Sequence, residues 1–515
     1  MTPNISILWA DDEIDLLKAH ILFLQSKGYR TDTATNGRDA VDMIRKNNYD
    51  IVFLDENMPG MSGLETLQQI KDIDTSIPVV MITKSEEENI MDMAIGAKIA
   101  DYIIKPVNPN QVLLSIKKHV DARRLISETT TTAYQTRFRD LSMQIAMNST
   151  FDDWAETYRK LVYWELELQN ISNMDEVLMM QKREANIGFA KYIRQNYLGW
   201  IADPDCGPLT SPRLMSRRIL PMIEAGQKVV MIVIDNFRLD QWETIRAVLA
   251  PDFNINTEIY CSILPTATQY ARNAIFSGLM PQQIVEMMPD CWVDTDDEGS
   301  QNQHENQLIG RFFERYRCRN VRYGYYKVND ATSGLRLNEI YSRYADNHFN
   351  AFVYNFVDML SHARTEVKMI KELAQDETAY RDITLSWFKL SPLYKLLQML
   401  RGQDVRIVIT TDHGTIRVGN PVRIIGDREV NTNLRFKTGR NLTCKDKDVF
   451  VIRDTQAAQL PRNNLSSSYM FATNNDFFAY PNNYNHYVGY YRDTFQHGGI
   501  SMEEMLIPFA TLTSK

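Results

Sequence analysis

Cysteine is scarce in this chain. Its 515 residues include five cysteines (Cys206, Cys261, Cys291, Cys318 and Cys444), an odd number with no CxxC pair. That argues against a disulfide frame and a cysteine-based zinc site, and fits reduced thiols. Long apolar runs are missing too: none approaches the roughly 20 residues of a membrane span. The N-terminus has no basic lead and meets Asp11 and Asp12 at once, which is not the pattern of a signal peptide. A soluble, cytoplasmic protein with no membrane span is expected. There is no basic excess: 57 Lys and Arg face 65 Asp and Glu, a formal charge of -8. A broad nucleic-acid footprint is therefore not expected. Apolar content, 44%, is ordinary, so most of the chain can fold, and the length suits about three domains.

What is present is two patterned sets of polar residues, each following buried-strand signals. In residues 1–120, apolar strands are expected at Ile5 to Ala10, Arg30 to Ala34, Ile51 to Leu54, Val79 to Ile82 and Tyr102 to Ile104, with helices between. The alternation predicts a parallel, doubly wound α/β sheet, with its site beyond the carboxyl ends of the strands. Asp11, Asp12, Asp55, Thr83 and Lys105 all fall there. Three converging carboxylates repel unless a cation lies between them, and oxygen-only ligands at an open site suit Mg2+. Asp55 can be the nucleophile toward a phosphoryl group, Lys105 a point charge for its oxygens and Thr83 a hydrogen-bond donor to them. Each residue alone is better read as a strand or helix cap; the five together are not.

The stretches Ile-Leu-Trp-Ala-Asp11-Asp12-Glu13, Leu-Asp55-Glu-Asn-Met-Pro-Gly-Met-Ser-Gly and Asp-Tyr102-Ile-Ile-Lys105-Pro106 closely resemble the response-regulator receiver family, which is flavodoxin-like in fold. The resemblance implies phosphorylation at Asp55. It implies Mg2+ on Asp12, Asp55 and the backbone carbonyl of Asn57, with Asp11 supporting, and a switch pair, Thr83 and Tyr102. Lys84 departs from the small residue usual after the switch threonine, which implies an altered lifetime of the phosphorylated state. In the family, phosphorylation remodels the face built here from about residues 86–120 and favours homodimers.

Residues 121–217 read as a helical linker bundle. The polar run Thr129 to Thr132 marks a break or joint. Thr150 precedes an amphipathic stretch (Trp154, Tyr158, Leu161, Tyr163, Leu166, Leu168), and a second covers Val177 to Tyr197 (Met179, Ile187, Phe189, Ile193, Tyr197). Aromatics at helical spacing are read as core. The bundle either spaces the end domains or transmits receiver dimerisation to the output domain.

Residues 218–515 predict a second α/β sheet. Strands Val229 to Ile234, Phe352 to Val357 and Ile407 to Thr411 end at Asp235, Asp358 and Asp412-His413. With His362 and His497, these make two sets of three ligands: Asp358, His362 and His497 in one, Asp235, Asp412 and His413 in the other. Imidazole with carboxylate suits zinc, with Mn2+ or another transition metal as the alternative. Two such ions about 3.5–4 Å apart clamp both oxygens of an in-line phosphoryl displacement. Thr268, at a helix start beside them, can be the metal-activated nucleophile, and Arg272, one turn on, can bind the phosphoryl group. Taken singly, Asp-x-x-x-His reads as a surface pair, Asp-His-Gly as a turn and the threonines as N-caps. Segments 279–330 and 427–490 read as insertions without site residues. The second is rich in aromatics (Phe477, Phe478, Tyr480, Tyr484, Tyr487, Tyr490, Tyr491) that pack a cap or stack nucleobases.

The ordered set resembles the alkaline phosphatase superfamily, and within it the nucleotide pyrophosphatase/phosphodiesterase branch and the PglZ domain. Pro-Thr-Ala-Thr268 followed by Ser-Gly-Leu-Met-Pro matches the threonine-nucleophile segment, which favours Thr268 over Thr266; the family's asparagine three residues later is Ala271 here. Receiver, helical middle and PglZ-type domain together resemble the response regulators of the type IX secretion system. That resemblance implies a sensor histidine kinase, a sigma factor and a secretion-system component as partners, and a nucleotide or short oligonucleotide as substrate of a zinc-dependent phosphodiesterase. The competing reading is a signalling scaffold whose PglZ domain binds those partners without turnover. Direct DNA binding is disfavoured by the acidic balance and the lack of a recognisable helix-turn-helix.

Overall fold

The computed structural model describes residues 5–75, 77–84, 99–169, 175–293, 302–339, 341, 344–366, 376–426, 433–444, 449–462, 467–480 and 484–515. The chain divides into two compact units, residues 1–135 and 136–515.

In the first unit five strands, β1 (Ser6–Ala10), β2 (Arg30–Ala34), β3 (Ile51–Asp55), β4 (Val79–Thr83) and β5 (Asp101–Ile104), pair in the order β2-β1-β3-β4-β5. All four pairings are parallel. β3 and β4 are buried along their whole length, as continuous apolar runs covered by helices on both faces require. Ser62 caps the following helix, Gly63–Ile73, in a reciprocal bond with Glu65, which fixes the chain leaving the Asp55 loop. Part of the face expected to respond to phosphorylation, residues 85–98, lies outside the described residues.

In the second unit six strands pair in the order β7-C-terminal strand-β10-β6-β9-β8. They are β6 (Val229–Ile234), β7 (Phe253–Cys261), β8 (Tyr323–Val328), β9 (Phe349–Tyr354), β10 (Arg406–Thr410) and the C-terminal strand Leu506–Ser514. β10, β6, β9 and β8 run parallel, and the C-terminal strand is antiparallel to both β10 and β7. Val229 to Ile234 has no residue above 1% exposure, so the strongest apolar run of the sequence is the centre of the sheet.

Several expectations change. The third C-terminal strand is Phe349–Tyr354, not Phe352 to Val357. The apolar run continues past the strand into the helix Phe356–Glu366, so Asp358 stands in a first helical turn. Segment 279–330 is not merely an insertion, because it supplies edge strand β8. The described part of 427–490 forms strands of two three-stranded sheets, with Phe477 and Phe478 buried and Tyr487 and Tyr490 exposed.

Thr129 to Thr132 is not a break. It lies inside one helix, Ala122–Met147, since threonine costs a helix only a few tenths of a kcal/mol (~0.5). The helices Phe151–Glu167 and Asp175–Ala202 belong to the same unit as the C-terminal sheet. Thr150 caps the first through a reciprocal bond with Asp153. Trp154, Tyr158, Leu161, Phe189, Ile193 and Tyr197 are core, whereas Tyr163, Met179 and Ile187 are exposed. The turn of Gly188 must pass close to the Trp154 indole, because a β-carbon there would lie 2.6 Å from the ring.

Candidate functional site

At the C-terminal rim of the first sheet, Asp11, Asp12 and Asp55 bring carboxylate oxygens within 4.8 Å of one another. Asp11 and Asp55 are buried and Asp12 is exposed. The Lys105 ammonium lies 2.6 Å from Asp55 and 3.1 Å from Asp11. Burial pushes the Asp55 carboxyl above its usual range, and Asp11 adds to this against the pull of Lys105. Thr83, at the end of β4, donates its hydroxyl to Glu56. Asn57 and Tyr102 are exposed at the same rim, as is Lys84.

The corresponding rim of the second sheet gathers the other set. The ligand atoms of Asp235, Asp412 and His413 lie within 4.8 Å of one another, as do those of Asp358, His362 and His497. Asn236 ties the two groups together. Its backbone N–H faces Asp412 at 3.4 Å and its side-chain amide donates to Asp358 at 3.1 Å. It takes a positive φ of 60°, a conformation that asparagine tolerates better than most residues. The His413 and His497 rings stack, 4.3 Å between centroids. Thr268 is the first residue of the helix Thr268–Ser277, and its hydroxyl lies 3.3 Å from Asp235 and 3.2 Å from His413 Nε2. Thr266 is otherwise employed: it donates to the Gly499 carbonyl and accepts from the Gly498 N–H.

The donor set fits divalent cations on three grounds. His413 Nδ1 lies 3.1 Å from the Gly414 carbonyl and His497 Nδ1 3.0 Å from the Thr266 carbonyl. A carbonyl only accepts, so both Nδ1 atoms carry the proton and both Nε2 atoms present a lone pair to the site, the arrangement of metal-ligating histidines. Those lone pairs face carboxylates, His413 toward Asp235 at 3.8 Å and His497 toward Asp358 at 3.8 Å, an orientation that needs a cation between. Asp412 Oδ2 is buried with no hydrogen-bond partner. The electrostatics agree. Burial, then Asp235, pushes Asp412 up to about 8, and burial, then His413, pushes His497 down to about 4. Burial would also raise Asp235, but Arg272 and His413 draw it below its usual value.

Arg272 does not occupy the position expected of a phosphate ligand. Its side chain is 1% exposed, with Nε 2.5 Å from Glu305 and one terminal nitrogen 2.7 Å from Asp235 and 3.6 Å from Asp412. Its charge is already matched by three buried carboxylates. Glu305, in the segment read as an insertion, and Asn236 are the two residues that the sequence reading missed. The Asn that follows Asp235 at a strand end was a usable signal; nothing in the spacing pointed to Glu305.

Comparison with known proteins gives the families of the three segments. Residues 7–117 match the response regulator receiver domain model, and residues 214–512 match the model described as BREX system PglZ alkaline phosphatase-like domain. The second match covers more than half of the chain, and the chain belongs to the PglZ alkaline phosphatase-like family, here fused to a response-regulator receiver. Residues 124–201 match the PorX response regulator linker domain, and the three in this order are the PorX architecture. A receiver implies a phosphodonor such as a histidine kinase.

Among curated relatives, ResD of Bacillus subtilis is 34% identical over 116 residues, 22% of this chain and 48% of that protein. ZraR of Klebsiella oxytoca is 29% identical over 150 residues, 29% of this chain and 34% of that protein. The chain thus spans half or less of the length of these relatives. Among solved structures, CheY4 of Vibrio cholerae is 25% identical and covers 22% of this chain and 98% of its own, with a TM-score of 0.22. TrrA of Thermotoga maritima, solved with Mg2+ and BeF, is 32% identical and covers 22% and 97%, with a TM-score of 0.21. Among the described residues no helix is long and apolar enough to cross a membrane.

Proposed function

We propose that the C-terminal domain is a zinc-dependent phosphodiesterase acting on nucleotide-type phosphoesters, controlled by phosphorylation of Asp55, in a cytoplasmic regulator of type IX protein secretion. The observation that carries the hydrolase is the Thr268 hydroxyl at a helix start, 3.3 Å from Asp235 and 3.2 Å from His413, with both ligand triads at the same sheet rim. Asp235, Asp412 and His413 would hold one ion and Asp358, His362 and His497 the other; bound there, the pair supplies Lewis acidity to the phosphoryl oxygens and the attacking hydroxyl. Thr268 is the nucleophile, and the first amides of its helix face the phosphoryl oxygens. Arg272 acts as a positioning residue, holding Asp235 and Asp412 from behind, rather than as the phosphate contact.

In the receiver, Asp12, Asp55 and the Asn57 carbonyl would hold Mg2+ with Asp11 supporting. Lys105 contacts the phosphoryl group, and Thr83 and Tyr102 form the switch. A sensor histidine kinase is the phosphodonor, the phosphorylated form is a homodimer, and a sigma factor and a secretion component are the further partners of this reading.

The test is hydrolysis of bis-p-nitrophenyl phosphate by the full chain, with bound metal measured in parallel. Thr268→Val should lose about a hundredfold or more in kcat while keeping its metal. Equal rates would remove Thr268 from the mechanism, and no turnover by zinc-loaded wild type would favour the scaffold reading.

A further inference from the structure

The acidic residue next to the phospho-acceptor is tied into the switch. Glu56 follows Asp55 at the end of β3 and is half-buried. Its backbone is fixed on both sides: its N–H donates to the Ile82 carbonyl at 2.9 Å, and its carbonyl accepts from Gly63 at 2.8 Å. Across the rim Thr83 is 6% exposed, and its carbonyl accepts from the Lys105 N–H at 2.8 Å. With both backbones held, the bond from the Thr83 hydroxyl to the Glu56 carboxylate can be exchanged only by side-chain rotation.

A threonine hydroxyl carries one proton to donate. Given to Glu56, that proton is not available to an oxygen of a phosphoryl group on Asp55. A carboxylate is also the stronger kind of acceptor, because its bond is charge-assisted. Lys105, a further donor at the rim, is already shared between Asp55 and Asp11. Glu56 and a phosphoryl group on Asp55 are therefore mutually exclusive acceptors of that one proton.

We propose that Glu56 is a positioning residue of the receiver, a latch that keeps the Thr83 hydroxyl turned away from the phosphorylation site until a phosphoryl group on Asp55 outbids it. The inference rests on Asp55 being the acceptor and is independent of the hydrolase. It predicts that removing the latch makes the phosphorylated arrangement easier to reach. A second effect has the same sign: the Glu56 carboxylate would repel an anionic group on Asp55 whether or not Thr83 is present. The two separate on a double substitution.

The probe is beryllofluoride with Mg2+, titrated into the full chain and followed by 19F NMR. Glu56→Ala should bind about three- to tenfold more tightly than wild type, the worth of one hydrogen bond to a charged group in a part-exposed setting. Glu56→Gln, whose amide oxygen still accepts from Thr83, should gain less, and it serves where the alanine variant does not fold. In a Thr83→Ala background the gain from Glu56→Ala should shrink to the part that charge repulsion supplies. Unchanged affinity in both Glu56 variants, or the same gain with and without the Thr83 hydroxyl, would overturn the latch. Loss of the bound signal in Asp55→Asn is expected; a bound signal that persists there would instead remove Asp55 as the acceptor, and the latch with it.

Discussion

Lys182, in the helix Asp175–Ala202, is the strongest single test of how the helical middle is joined to the C-terminal sheet. Its ammonium lies 2.7 Å from Glu165 and 3.3 Å from Glu503, and the three side chains are 8%, 9% and 5% exposed. Glu165 keeps a second cation, Arg381, at 2.5 Å, but among the described residues Glu503 keeps only the Asn186 amide, at 2.9 Å, beside the ammonium. Lys182→Ala would therefore leave a buried carboxylate with no cation, which costs about 3–5 kcal/mol. At about 2–4 °C per kcal/mol for a unit of this order of size, the melting temperature should fall by roughly ten degrees.

The pH dependence has a definite sign. Burial would raise Glu165, but Lys182 and Arg381 outweigh it and hold the carboxyl below its usual value of 4.5. A lowered folded value contributes stability above the unfolded value, lost as pH falls through the folded one. The part of the gap between wild type and Lys182→Ala that comes from Glu165 should thus be full at neutral pH and narrow below about pH 4.5. Urea unfolding followed by tryptophan fluorescence measures it. The double variant Lys182→Met with Glu503→Gln should recover much of the loss, because it removes the stranded charge. A single-variant cost under about 0.5 kcal/mol at pH 7 would refute the reasoning, since that is the range of an ordinary surface change.

Two further predictions come from the same structure. Arg272→Met should weaken metal binding by about 10–100-fold, measured by competition with a chromogenic chelator, while KM at saturating zinc changes by less than about threefold; a selective rise in KM would restore it as a phosphate ligand. Thr150→Ala removes the capping bond to Asp153 and should cost about 1 kcal/mol by urea unfolding without altering bound metal.

The strand ends were legible because each apolar run stops at its acid: β3 at Asp55, β6 just before Asp235, β10 just before Asp412. A buried parallel strand has no polar face, so the first polar residue marks the rim. The same logic misplaced β9, whose apolar run is prolonged by Phe356 and Val357 into a helix. Edge strand β8 was missed for the opposite reason: five of its six residues are half-exposed, so Tyr323 to Val328 reads as neither a buried run nor a clean alternation. Helical spacing put Arg272 one turn from Thr268 correctly, but spacing sees only the helix. What waits behind it, Glu305, lies 33 residues on and becomes a partner only in the fold. Tyr163, Met179 and Ile187 show the remaining limit, since an amphipathic stretch gives the buried face only approximately.

The two rims use one electrostatic device to different ends. Each gathers carboxylates around one basic side chain, Lys105 between Asp11 and Asp55, Arg272 between Asp235, Asp412 and Glu305. Lys105 is 16% exposed on a flexible stem, so it can follow a phosphoryl group that arrives on Asp55 without giving up its neighbours. Arg272 is 1% exposed and its planar fork is spent on carboxylates, so it can only hold them in place. On the proposed function the receiver site would accept a transient charge and change its contacts, and the bond between Thr83 and Glu56 is the one proposed to change. At the second site the lysine that reaches this cluster, Lys327, lies 4.0 Å from Glu305. On the proposed function, the charge that neutralises an incoming phosphodiester there would come from the divalent ions held by the two histidine–aspartate triads. Substrate affinity in the second site should therefore follow metal occupancy, while in the receiver Lys105 already supplies part of the charge.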